Sequence, residues 1–175
     1  MDFGFLAFSR NPSFTPPKSR MLTMKLFEIL PLEARKQIRR RAQPEWCNPT
    51  LATLVREQFS DKDWIFEPKL DGIRCLSFRK GRRLTLFSRN QIRLNDSYPE
   101  LAGSLLKEPA SEFIVDGEIV ALERGISRFS LLQQRKQRRV PVFYYLFDIL
   151  YLNGYDLTRV ELRYRKELLR HAFSF

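Results

Sequence analysis

Four short runs in this chain carry residue types that could do chemistry. The first is Glu67-Pro68-Lys69-Leu70-Asp71-Gly72-Ile73-Arg74, in which an apolar stretch ends in a lysine, an aspartate, a glycine and an arginine. A lysine amine is a nucleophile once it has lost its proton, but at the ordinary pKa of about 10.4 only roughly 0.04% is neutral at pH 7. Burial and neighbouring cations lower that value. Lys69 is therefore expected in an enclosed pocket, with Arg74 or a bound metal pushing the right way. Asp71 would push the wrong way, so it suits the role of an orienter or a metal-associated carboxylate. The second run, Ser88-Arg89-Asn90, carries no signal by itself. The third, Asp116-Gly117-Glu118, falls inside a strand-like stretch. A period of two puts both carboxylates on one face with Cα atoms about 7 Å apart, and Gly117 leaves the opposite face open to close approach. The fourth, Phe147-Asp148, sets an aromatic ring and an acid at the end of an apolar run. Each run also has an ordinary explanation: a salt-bridged lysine at a turn, exposed acids on an edge strand, a core phenylalanine.

The elements that must position these runs are read from patterning. Residues 24–42 are expected to be helical, with Pro31 in a first turn. Leu51, Leu54, Val55 and Gln58 fit one short helix. Trp64 to Phe66 reads as a strand leading into Lys69. Ile73 to Phe78 and Leu84 to Phe87 alternate around Gly81 and predict a hairpin. Ser97-Tyr98-Pro99-Glu100 and Thr158-Arg159-Val160-Glu161 have the form of capping boxes, each opening a helix. Phe113 to Leu122 is a predicted strand, Phe129 to Gln134 a short helix, and Val140 to Leu150 a strand buried on both faces.

The chain has 175 residues, enough for one domain or one domain and a tail, and a net charge of +11. Its seven glycines lack the spacings of the dinucleotide fingerprint and of the Walker loop. A single histidine, His171, excludes paired-histidine zinc motifs. Cys47 and Cys75 form neither a metal-ligand pattern nor a disulfide framework, as expected of reduced thiols in the cytoplasm. No apolar stretch approaches a membrane span. Residues 1–20 make a poor signal peptide, and residues 1–45 are expected to be a flexible or partly helical tail ahead of a domain over 46–175. Basic groups cluster at 35–41, 79–83 and 135–139 and favour a polyanionic partner, nucleic acid first.

The order of the runs is more specific than any one of them. Lys69-x-Asp71-Gly72, Ser88-Arg89-Asn90, Asp116-Gly117-Glu118 and Phe147-Asp148 together resemble the covalent nucleotidyltransferases. Within these the chain is most similar to the ATP-dependent DNA ligases, in particular the ligase module of bacterial end-joining ligases. Leu51-Ala52-Thr53-Leu54, Phe129-Ser130-Leu131-Leu132-Gln133 and Leu150-Tyr151-Leu152-Asn153-Gly154 add to the likeness, which spans roughly Pro49 to His171. The resemblance implies an α+β nucleotidyltransferase (ATP-grasp-like) adenylation domain of antiparallel sheets flanked by helices. It also implies ATP and Mg²⁺ as cofactors, and nicked double-stranded DNA as the partner. The chain would be monomeric and nucleoid-associated, working in repair or recombination beside end-joining or repair proteins. Lys69 would attack the α-phosphate, form lysyl-AMP and release pyrophosphate. The AMP would pass to the 5′-phosphate of a nick and be displaced by the 3′-hydroxyl. Glu67 would contact the adenine amino group, Arg74 and Arg89 would hold ribose and phosphate, and Phe147 would stack on adenine. Glu118 would meet the ribose or the metal, supported by Asp116.

The pattern departs from the family beyond Leu150. No Glu-Gly pair occurs anywhere, and the only lysine after Leu150 is Lys166, so the family's metal-associated glutamate and Lys-x-Lys motifs are not found. The chain is therefore expected to be a C-terminally truncated adenylation domain without its OB-fold. Such a piece would not seal nicks alone and would self-adenylylate poorly or not at all. Rival readings are an RNA ligase or mRNA-capping guanylyltransferase, and a non-catalytic DNA-binding remnant.

Overall fold

The computed structural model describes residues 18–52, 59–137 and 139–174. Its element order is α1 (Lys18–Phe27), α2 (Leu32–Gln37), β1 (Arg39–Arg40), β2 (Ile73–Lys80), β3 (Arg83–Ser88), α3 (Pro99–Leu105) and β4 (Glu112–Val120). Then come β5 (Leu122–Glu123), β6 (Ile126–Ser127), α4 (Phe129–Gln133), β7 (Phe143–Leu152), β8 (Tyr155–Asp156) and α5 (Leu162–Ala172). Six strands form one sheet in the order β1-β8-β7-β4-β2-β3, and every pairing is antiparallel. A second, two-stranded sheet joins β5 to β6.

The predicted hairpin is β2–β3, with Cys75 opposite Ser88 and Lys80 opposite Arg83. Its turn places Gly81 at φ 60°, a conformation glycine adopts without steric cost. β4 lies between β2 and β7, so Asp116 and Glu118 stand on a central strand. Arg74 pairs with Glu118, Leu76 with Asp116 and Phe78 with Ile114, which sets these six residues on one face. The other face carries Cys75, Phe113, Val115 and Ile119 into the main core, where Leu168 and Leu169 of α5 also pack. On the first face Leu76, Ile114, Leu150 and Tyr151 form a smaller cluster, covered by Trp46 and Cys47. The Trp46 indole stacks on Phe78 at 5.7 Å.

Several elements differ from expectation. Trp64 to Phe66 is not a strand: residues 64–71 pair with nothing in a ladder, and Trp64, Ile65 and Phe66 are exposed. The single helix over 24–42 is two helices broken at Leu30–Pro31, where Arg35 donates to the carbonyls of Leu30 (2.7 Å) and Glu28 (2.5 Å). Neither capping box forms. α3 starts at Pro99 behind Tyr98, and Glu100 pairs instead with Arg135 at 2.6 Å. α5 starts at Leu162, four residues late, because Asp156 Oδ1 accepts from both the amide (2.9 Å) and the hydroxyl (2.7 Å) of Thr158 and holds it in a turn. The short helix expected around Leu54 to Gln58 falls largely outside the described residues; Leu51 itself is exposed and not helical. The stretch expected as a tail carries α1, α2 and β1, and gives Phe27, Leu30 and Ala34 to the main core. Among the described residues no helix is long and apolar enough to cross a membrane.

Candidate active site

Glycine decides how closely the chemistry-bearing strands approach. A Cβ on Gly72 would lie 2.2 Å from the Ile119 carbonyl oxygen and 3.0 Å from Cγ of Glu118. The Asp71-Gly72 step thus lets the lysine segment run against the end of β4, beside Glu118. A Cβ on Gly117 would lie 2.4 Å from the Tyr145 carbonyl oxygen and 2.7 Å from the Tyr144 ring. That opening admits Tyr144, whose hydroxyl donates to the Cys75 carbonyl (2.7 Å) and accepts from Ser77 Oγ (3.0 Å). Gly72→Ala and Gly117→Ala are each expected to cost about 1–3 kcal/mol through overpacking against backbone. Gly103→Ala in α3, with nothing within 4 Å, should be neutral or stabilising by up to about 1 kcal/mol. Urea midpoints of the three variants measure this, and equal midpoints would contradict it.

On the face thus assembled, Arg74 binds Asp116 through two charge-assisted hydrogen bonds, Nε to Oδ1 and Nη2 to Oδ2, each 2.6 Å. Nη2 also donates to the Thr50 carbonyl at 3.1 Å. Asp116 is fully buried. Burial pushes its carboxyl up and the guanidinium pulls it back; burial also lowers the Arg74 guanidinium, but the carboxylate outweighs this and raises it. Half-buried Glu118 is also raised, first by desolvation and then by Asp116 and Asp71, with Arg74 opposing. The Arg74 guanidinium lies 4.5 Å over the Phe147 ring. Phe147 is the extra residue of a β-bulge: Leu146 faces Gly117 and Asp148 faces Asp116, leaving Phe147 between them without a ladder partner.

Gly72, Ile73, Arg74, Ser88, Arg89, Asn90 and Glu118 line one open cleft. Arg89 reaches it from a tight turn in which the Gln91 amide donates to the Ser88 carbonyl (2.9 Å) and Gln91 adopts φ 61°. Three predicted residues, Arg74, Arg89 and Glu118, therefore meet. Glu67, Lys69, Asp71 and Phe147 are not among the lining residues. Lys69 is exposed, which corrects the expectation of an enclosed amine. Asp71 is held from both sides: its amide donates to Ser127 Oγ, and its Oδ2 accepts from the Phe129 amide at the start of α4, each at 2.9 Å. Among the described residues no three acids, histidines or cysteines come close enough to hold a metal ion. Each oxygen of Asp116 accepts one bond from Arg74, which makes Asp116 the group that orients this guanidinium.

Sequence reasoning missed Thr50, Ser127, Arg165 and Lys166. Arg165 and Asp148 form a buried bidentate pair, with Nε to Oδ1 at 2.7 Å and Nη2 to Oδ2 at 2.8 Å. Lys166 donates to Glu67 Oε1 and, at 2.7 Å, to the Phe147 carbonyl. The basic clusters are also partly consumed by the fold. Arg79 donates to the carbonyls of Leu105 (3.1 Å), Glu108 (2.7 Å) and Ala110 (2.8 Å), closing the end of α3. Lys80, Arg82 and Arg83 at the hairpin tip stay exposed, as do Arg39 and Arg40.

Residues 48–174 match the family model described as the ATP dependent DNA ligase domain. The chain belongs to this family. It is 36% identical over 129 residues to the multifunctional non-homologous end joining protein LigD of Pseudomonas aeruginosa, covering 72% of this chain and 15% of that protein. It is 34% identical over 146 residues to DNA ligase 1 of Arabidopsis thaliana, covering 75% and 18%. A mycobacterial DNA ligase D solved with ATP and MES superposes with a TM-score of 0.54 at 32% identity, covering 62% of this chain and 37% of that one. The ligase domain of M. tuberculosis LigD gives 0.53 at 32% identity, covering 60% and 35%. This ligase-domain chain thus spans less than a fifth of the P. aeruginosa and A. thaliana relatives. The α+β, antiparallel architecture expected for the family is the one observed.

Proposed function

We propose that the chain is an adenylation unit of an ATP-dependent DNA ligase, with Lys69 as the acceptor of AMP. The observation that carries this is the convergence of Arg74, Arg89 and Glu118 on one cleft, entered through Gly72 by the segment that bears Lys69. Two cations suit a triphosphate and a ribose, and Glu118 suits the ribose hydroxyls. Asp116 holds the Arg74 fork, and the partly exposed Phe147 ring beside it is the stacking surface for adenine. Glu67 keeps one carboxylate oxygen for the adenine amino group. Asp71 positions the lysine segment. A single carboxylate, Glu118, fits Mg²⁺ held largely by nucleotide phosphates and water. When bound, the ion supplies charge neutralisation at the reacting phosphate. The amine displaces pyrophosphate from the α-phosphorus, losing its proton to solvent, and forms an N–P bond. The exposed bases at the hairpin tip and β1 suit a DNA backbone, with a nick as the downstream substrate and repair or end joining as the setting. The unit includes α1, α2 and β1, upstream of residue 46, because Phe27, Leu30 and Ala34 pack into its core.

Incubation with α-labelled ATP and Mg²⁺, with the products resolved on a denaturing gel, tests this. Capture by a minor fraction of chains is expected, because Lys69 is not enclosed. The label should be acid-labile, absent with γ-labelled ATP and absent from Lys69→Ala. Label that survives Lys69→Ala, or none from any donor, would refute the assignment. Preference for GTP would point to capping chemistry. Salt-dependent DNA binding with no covalent AMP would leave a non-catalytic remnant.

A further inference from the structure

We infer that Lys166 is a positioning residue that clamps the lysine-bearing segment in register with the cleft. This rests on the assignment of Lys69 above. The segment 64–71 has no ladder partner, so its placement depends on side-chain anchors. Among the described residues two exist near Lys69. Asp71, two residues after it, is fixed to Ser127 and to the start of α4. Glu67, two residues before it, is bonded by Lys166 of α5, which bonds the carbonyl of the bulge residue Phe147 with the same ammonium group. The span between anchors is four residues, at most about 13–14 Å of chain. Lys69 sits at its middle.

The Lys166 side chain is only 14% exposed, although it is a lysine on a surface helix. α5 is itself fixed, since the preceding residue, Arg165, is locked to Asp148, next to Phe147 in β7. One ammonium therefore ties the start of the segment to the bulge that carries the Phe147 ring. Glu67 uses only Oε1 for this contact among the described residues, so the clamp and a nucleotide contact through Oε2 are compatible. Lys166 touches no reacting atom. It sets where the segment lies.

The experiment compares the full chain with Lys166→Met, Lys166→Arg, Glu67→Ala and the double Lys166→Met/Glu67→Ala. Amide hydrogen exchange over 59–71 reads the clamp without any nucleotide. The labelling rate at saturating and at low ATP reads its consequence. Lys166→Met should speed exchange at the hydrogen-bonded amides of this segment, Trp64 (to the Asp61 carbonyl) and Asp71 (to Ser127 Oγ), about tenfold or more, with β2, β4 and β7 unchanged. It should slow label transfer at saturating ATP by up to about 100-fold, as small misplacements of a reacting group do. Lys166→Arg should restore both. The double variant should exchange no faster than either single, because both remove one contact. Unchanged exchange in Lys166→Met, additive effects in the double, or Arg behaving like Met would overturn the clamp. If wild type takes no label but the exchange pattern holds, the clamp stands and the adenylation reading fails.

Discussion

Replacing Arg165 with methionine should remove a large part of the stability of this domain. Its side chain and that of Asp148 are 8% and 3% exposed, and the two bonds between them are 2.7 and 2.8 Å. Arg165 Nη1 also donates to the Val160 carbonyl at 2.6 Å, which secures the turn before α5. Asp148 Oδ1 accepts from the Ile149 amide as well. Such a pair adds little net stability when made, because desolvating both charges offsets their attraction. Breaking it is different, since a buried carboxylate is left without its counter-ion, at a cost of about 3–5 kcal/mol. A domain of this size has roughly 5–15 kcal/mol in total. A urea titration should show the midpoint falling sharply with an unchanged slope. Asp148→Leu/Arg165→Met should recover much of the loss, since no orphan charge remains. A midpoint within error of wild type for Arg165→Met would show that the pair is more hydrated than its burial indicates.

The second large effect is expected at Arg74, where stability and nucleotide binding fall together. Arg74→Ala strips Asp116 of both its bonds and leaves the Phe147 ring without its cation. Arg74 is 27% exposed, so water reaches one end of the pair and the cost should sit near the lower end of the same range, about 3 kcal/mol. Lysine should not substitute, because a single ammonium cannot make the two parallel bonds of the guanidinium fork. The loss should depend on pH with a definite sign. Asp116 is already raised above its usual 3.8 by burial, with Arg74 holding it down. Without Arg74 its folded-state pKa rises further. A raised folded-state value favours folding at low pH, and that contribution disappears as pH rises through it. The gap between variant and wild type should therefore narrow as pH falls toward about 4 and be widest at neutral pH. Paired urea titrations at several pH values read this directly. A pH-independent gap would mean that Asp116 stays charged, through solvent entry. Binding of a fluorescent ATP analogue should weaken in parallel at neutral pH.

What was legible in the sequence is what depends on near neighbours. Asp116 and Glu118 share a face because a strand has a period of two, and the hairpin around Gly81 arises from alternation around a turn residue. Gly117 sits, as its place in the strand suggests, where another backbone approaches within a side chain's reach. What was not legible depends on partners distant in sequence. Trp64 to Phe66 has the composition of a strand, but pairing is not a local property. The two capping boxes have the right letters, yet Arg135 and Asp156 compete successfully for Glu100 and Thr158. Lys166 and Glu67 are 99 positions apart, and Arg165 looks like one more base in a chain of +11. Burial alone distinguishes these two basic residues from their neighbours.

The irregular pairing of β7 with β4 constrains how this strand can change in length. Beyond Phe147, a second unpaired residue, Leu150, falls between Ile149 opposite Val115 and Tyr151 opposite Ile114. Each extra residue reverses the in-out parity of the strand beyond it, and two restore it. Asp148 and Ile149 alone sit in the inverted stretch, and there the acid points to Arg165. Loss of Phe147 or of Leu150 would close a bulge and leave Asp148 opposite Asp116 and Tyr151 opposite Ile114, whereas loss of a residue away from the bulges would turn the side chains beyond it over. This strand can therefore shorten by one residue at either bulge without changing what its paired side chains face.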